Sequence, residues 1–127
     1  MTYVLVAVGG ALGCMARYWA GGVMARMLGV AFPWGTVAIN VAGSFAIGAF
    51  AAASLGSPRL GSPELRAFVT VGLCGGFTTF SAFSLQTVDL LRDGRALAAM
   101  ANVALSVVLC LVSTACGYAV FQQGSAT

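Results

Sequence analysis

Four long apolar stretches run along this chain, separated by short polar punctuation. An apolar helix needs about 20 residues to cross the hydrocarbon of a bilayer. The first stretch covers about Tyr3 to Leu28 and ends at Gly29 and Phe32-Pro33, where proline stops a helix and pushes its predecessor toward extended geometry. The second covers about Trp34 to Leu55 and stops at Gly56-Ser57-Pro58. Two prolines, two glycines and Arg59 between Gly56 and Pro63 read as a loop. Ser62-Pro63-Glu64 then marks a helix start: a serine N-cap, proline at the first helical position and an acid in the first turn. The third stretch covers about Glu64 to Leu91, Arg92-Asp93-Gly94-Arg95 is a tight polar turn, and the fourth covers about Ala96 to Phe121. A polar tail, Gln122 to Thr127, follows. The connections are short, so consecutive helices are expected to be antiparallel neighbours. The expected fold is an all-α membrane protein, residues 1–127 forming one domain of four transmembrane helices.

The third stretch carries an interruption. Cys74-Gly75-Gly76-Phe77-Thr78-Thr79 sets two glycines and two threonines near its middle, and each glycine costs a helix about 1 kcal/mol relative to alanine. Gly72 and Gly76 have the small-xxx-small spacing of a close helix contact, which is one explanation. The other is a true break at mid-membrane, tolerated only where the freed backbone is buried in protein or lines a cavity. We take the break as the expectation.

Composition agrees with lipid as the solvent. Charged residues make up 7% of the chain and hydrophobic residues 60%, against roughly 25% charged for soluble proteins, and the mean hydropathy is +0.97. Nine charges cannot cover a soluble fold of 127 residues. The N-terminus lacks the basic region and cleavage site of a signal peptide, so the first stretch reads as a retained span. A net charge of +3, thinly spread, makes no nucleic-acid surface. Cys14, Cys74, Cys110 and Cys116 fall in apolar stretches with neither zinc nor disulfide spacing, and read as packing residues with Cys110 the one to watch.

Orientation is almost undecided by charge. Arg59 and Arg66 fall on one side of the bundle; Arg26, Arg92 and Arg95 fall on the other. Since the Lys/Arg bias of short loops sets orientation, two against three leaves insertion both ways open, and with it an antiparallel dimer. The alternative is that Arg92 and Arg95 suffice to fix one orientation.

Polar residues at membrane depth are the candidate chemistry. Arg17 lies inside the first span, either as an interfacial anchor or as a cation in a wet vestibule. Thr36, Asn40 and Ser44 share one face of the second helix; Asn102, Ser106 and Cys110 repeat at the same spacing in the fourth, followed by Ser113 and Thr114. Such stripes often only join helices, at about 0.6 kcal/mol per hydrogen bond, but two of them beside a broken helix suggest a polar pathway. Phe80 and Phe83 follow the break, with Ser81, Ser84 and Gln86 among them. Ring edges carry partial positive charge, so two rings turned edge-on to a pore are able to coordinate an anion.

Gly9-Gly10-Ala11-Leu12-Gly13 with Arg17-Tyr18, then Pro33-Trp34-Gly35-Thr36 with Asn40 and Gly43-Ser44-Phe45, then Gly75-Gly76-Phe77-Thr78-Thr79-Phe80-Ser81-Ala82-Phe83-Ser84 resemble the Fluc (CrcB-type) family of microbial fluoride channels. The resemblance covers nearly the whole chain. It implies a passive, fluoride-selective channel in the inner or plasma membrane, built as a dual-topology antiparallel homodimer with two pores. It implies that Asn40, Thr79, Phe80, Ser81, Phe83, Ser106 and Cys110 line the pores and that Arg17 sits at the vestibule. It further implies a structural sodium ion at the dimer centre, held by the backbone carbonyls of Gly75 and Thr78 from both chains. Two departures stand out: Gln86 occupies a position where many members have Glu, and Ala82 interrupts the family's hydroxyl repeat.

Passive export is physically sufficient. Hydrogen fluoride enters cells as a neutral acid and ionises inside, and an inside-negative potential drives the anion out with about 2.3 kcal/mol per 100 mV. A proton-coupled multidrug exporter would need an embedded carboxylate, whereas Asp89 and Asp93 lie at the edge of the third span. A non-transporting membrane assembly subunit would explain the stripes but not the break. An enzyme is the weakest option, because the chain has no histidine and its three acids lie at helix ends.

Overall fold

A computed structural model describes residues 1–123 and is all-helical. Helix α1 spans Thr2–Leu28 and α2 spans Trp34–Leu55. The third apolar stretch is composite: α3, Pro63–Arg66, runs into a π-helical segment, Ala67–Cys74, then α4, Gly75–Phe77, and α5, Phe80–Arg92. Helix α6 spans Ala96–Gln123. Four stretches, with the third counted from Pro63 to Arg92, are long and apolar enough to cross a membrane. Of the expected polar tail, residues 124–127 lie outside the described residues.

Local signals act where the sequence puts them. Ser62 Oγ accepts from Leu65 N–H at 3.4 Å, with Pro63 at the first helical position and Glu64 in the first turn. Gly29 closes α1 at φ 75° and Gly94 turns into α6 at φ 73°, a left-handed backbone that glycine adopts at little cost.

Consecutive helices touch, as the short connections lead one to expect, but they are not the main partners. α1 packs chiefly on the third stretch and α2 chiefly on α6, so the main contacts join alternate helices rather than consecutive ones. Glycine seams are the physical reason. A Cβ added at Gly13 would lie 2.3 Å from Leu73 O, and one at Gly76 would lie 2.6 Å from Gly10 O. Across the other pair, a Cβ at Gly48 would lie 2.2 Å from Thr114 O and one at Gly117 would lie 2.3 Å from Phe45 O. In lipid no hydrophobic force draws helices together, so backbones that can approach closely choose each other. Much of the remaining helix surface is apolar and exposed, including Tyr3, Tyr18, Trp19, Leu97 and Leu111.

Candidate functional site

The interruption of the third stretch falls on the threonines. Gly75 and Gly76 stay helical, packed by Gly76 against α1, while Thr78 (φ −82°, ψ 159°) and Thr79 (φ −152°, ψ 116°) are extended. Close packing thus accounts for Gly76, and the chain departs from helix two residues later. A Cβ at Gly43 of α2 would lie 2.2 Å from Thr78 Cγ2, so the glycine makes room for the Thr78 side chain beside the extended segment.

Side chains then take up the backbone that the interruption releases. A continuous helix would send Thr79 N–H to Gly75 O and Ala82 N–H to Thr78 O. Instead Thr79 N–H donates to Asn40 Oδ1 at 2.8 Å, and Ala82 N–H donates to Thr79 Oγ1 at 3.2 Å, the N-cap of α5. Asn40 Nδ2 returns a bond to Thr79 O at 3.0 Å, so one amide clamps both polar groups of a single extended residue. Gly75 O and Thr78 O are therefore relieved of those two helix donors. Arg17 Nη1 reaches Thr78 O at 3.4 Å, and Thr78 Oγ1 donates to Cys74 O at 2.7 Å.

Two concavities meet at this segment, and Thr79 lines both. One, of about 900 Å³, is a vestibule that includes Arg17, Arg26, Thr36, Gln86, Asp89, Asp93 and Arg95. Here Gln86 presents a buried Oε1 with no hydrogen-bond partner among the described residues. The other, of about 420 Å³, is a groove holding Asn40, Ser44, Gly75, Thr78, Phe80, Phe83, Ser106 and Cys110. The ring centroids of Phe80 and Phe83 are 5.3 Å apart and tilted by 48°. Phe80 is 78% exposed, whereas Phe83 is 8% exposed.

Most of the residues singled out in the sequence thus converge. Thr36 opens on the vestibule while Asn40 and Ser44 open on the groove, so the stripe on α2 runs from one to the other. Ser81 is exposed, lines neither concavity, and pairs with Thr79 Oγ1 at 3.3 Å. Ser113 joins helices, donating to Val41 O at 2.8 Å. Thr87 was not foreseen. Its hydroxyl donates to Phe83 O at 2.8 Å and accepts from the buried Asn102 at 2.9 Å. The four-residue spacing from Phe83 to Thr87 was the available signal.

The family described as CrcB-like protein, Camphor Resistance (CrcB), matches residues 4–118. A protein of Methylocella silvestris named fluoride-specific ion channel FluC is 50% identical over 121 residues, covering 94% of this chain and 92% of the relative. One of the same name from Rhodospirillum rubrum is 52% identical over 119 residues, covering 93% and 92%. Another, from Geobacter sulfurreducens, is 49% identical over 122 residues, covering 96% and 98%. A match over this much of the chain leaves one conclusion: it belongs to the CrcB-like family.

Proposed function

We infer that this multi-pass membrane protein is a fluoride-selective channel, not an enzyme, that lets cytoplasmic fluoride leave down its electrochemical gradient and so relieves fluoride toxicity. The observation that carries the reading is half-identity, over more than nine-tenths of the chain, to proteins named for fluoride conduction. The site's geometry agrees in kind. Three arginines, Arg17, Arg26 and Arg95, against two carboxylates, Asp89 and Asp93, leave the vestibule with a small positive excess that favours anions. Beyond Thr79, Phe80 and Phe83 offer ring edges and Asn40 retains one N–H beyond the one it gives Thr79. Selection against chloride requires a narrow path and donors that replace fluoride's water shell.

We assign the pore to Asn40, Thr79, Phe80, Phe83, Ser106 and Cys110, with Ser81 supporting Thr79 and Arg17 at the vestibule. The break sits at mid-membrane in this reading, and the chain works as an antiparallel, dual-topology homodimer in the inner or plasma membrane. Near-balanced arginines and the exposed Gly75 and Phe80 support that assembly. Sodium fits as the structural ion of the dimer. Gly75 and Thr78 line the groove and their carbonyls lose helix donors, Thr78 O keeping the 3.4 Å contact from Arg17 Nη1, and neutral carbonyls suit a monovalent hard cation. When bound, sodium would supply a fixed positive charge that holds the two interrupted helices together. Asp89 and Asp93 are exposed at the vestibule, so a proton-coupled exporter gains no support from them.

Liposomes containing only this protein should release fluoride when a potassium ionophore clamps the potential, and should release chloride far more slowly. Equal rates for the two anions, or no release of either, would overturn the assignment.

A further inference from the structure

A directional hydrogen-bond chain runs from α5 to the groove through Asn102, which is 1% exposed. Its direction follows from chemistry alone. Phe83 O only accepts, so the Thr87 hydroxyl, 2.8 Å away, spends its single proton there. Thr87 Oγ1 must then accept from Asn102, which turns Nδ2 toward it at 2.9 Å and fixes the amide. Asn102 Oδ1 is left facing Ser106, and between an amide oxygen and a hydroxyl the hydroxyl must donate. Ser106 Oγ does so at 3.4 Å, the longest link of the three.

Ser106 is 6% exposed and lines the groove. A serine hydroxyl has one proton. With that proton held by Asn102, Ser106 turns lone pairs to the groove, which repel an anion rather than bind it. We propose that Asn102 is a positioning residue that withholds the Ser106 proton from anions in the groove and so keeps fluoride binding there weak. The proposal rests on the groove being the fluoride path. A fluoride ion reaching Ser106 recruits the proton only by displacing the link to Asn102, so this end of the groove binds weakly and releases readily. Conduction requires binding of that kind, strong enough for entry and weak enough for exit.

The test measures fluoride flux against fluoride concentration in liposomes. Asn102→Leu keeps a similar volume and removes the acceptor, freeing the Ser106 proton. A hydrogen bond to an ion contributes enough to lower the half-saturating fluoride concentration about tenfold. Ser106→Ala added to Asn102→Leu should cancel that gain. Thr87→Val reaches the same end differently: Asn102 becomes free to rotate its amide and donate to Ser106, so this variant should also bind fluoride more tightly. It carries the test if Asn102→Leu does not fold. No tightening in either variant, or a tightening that survives loss of the Ser106 hydroxyl, overturns the proposal while wild-type flux leaves the channel reading standing. Absence of fluoride flux from the wild type overturns both.

Discussion

Replacing Phe80 or Phe83 by Ile separates packing from ring chemistry. Ile keeps the side chain apolar and bulky, so a packing role predicts a loss of under about 1.5 kcal/mol in stability and transport largely intact. An anion held by ring edges predicts at least a tenfold fall in fluoride efflux from a protein that still purifies as an intact assembly. Near-normal efflux from both variants would remove the aromatic pore. Phe80 is the cleaner test, because its ring is exposed in the groove and packs little within the chain. Asn40→Asp changes a different bond. The carboxylate still accepts from Thr79 N–H but no longer donates to Thr79 O, and it sets a negative charge beside the groove. Efflux should fall to near background while the helical content by circular dichroism is unchanged. Residue type and helical spacing nominated Asn40, and the family resemblance nominated Phe80 and Phe83; the structure brings all three to one groove. The amide clamp on Thr79 was not legible, since it joins residues 39 apart in sequence, and the Arg17 contact joins residues 61 apart. No local pattern encodes such pairings.

At the level of elements, apolar run length and terminal signals fixed the spans to within a residue or two at most ends. The first expected span began at Tyr3 and α1 begins at Thr2; the second expected span and α2 share Trp34 and Leu55. The π-helical segment Ala67–Cys74 left no trace, because apolar side chains on every face carry no periodicity from which to read residues per turn. Nor did loop length reveal which helices pair. That choice lies in backbone approach at glycines, and Gly48 tests it. A valine there drives side-chain carbon into Thr114 O, and overpacking of this kind costs on the order of 1–3 kcal/mol. Gly48→Val should lower the thermal midpoint in detergent, whereas Gly22→Val, at an exposed position with open space around it, should leave the midpoint nearly unchanged. Equal losses at the two positions would show that helix propensity, not the seam, sets the effect.

For the whole molecule, the proposed dual topology makes a prediction at the loop around Arg59. With Cys14, Cys74, Cys110 and Cys116 replaced, a single cysteine at Arg59 should react with impermeant reagents added from either side of the membrane. Labelling from one side only would fix the orientation and remove the inverted homodimer. The alternate pairing of helices also constrains biogenesis. Helix α1 enters the bilayer well before the third stretch on which it packs, and α2 enters before α6. Neither the first hairpin nor the first three spans together contain the α2–α6 seam. The α2 face must therefore wait in lipid with its glycines uncovered until the last span is inserted, whereas the α1 seam closes once the third stretch is in place. A chain cut after Arg95 should accordingly insert yet remain open to protease and fail to accumulate, and supplying α6 as a separate peptide should restore it.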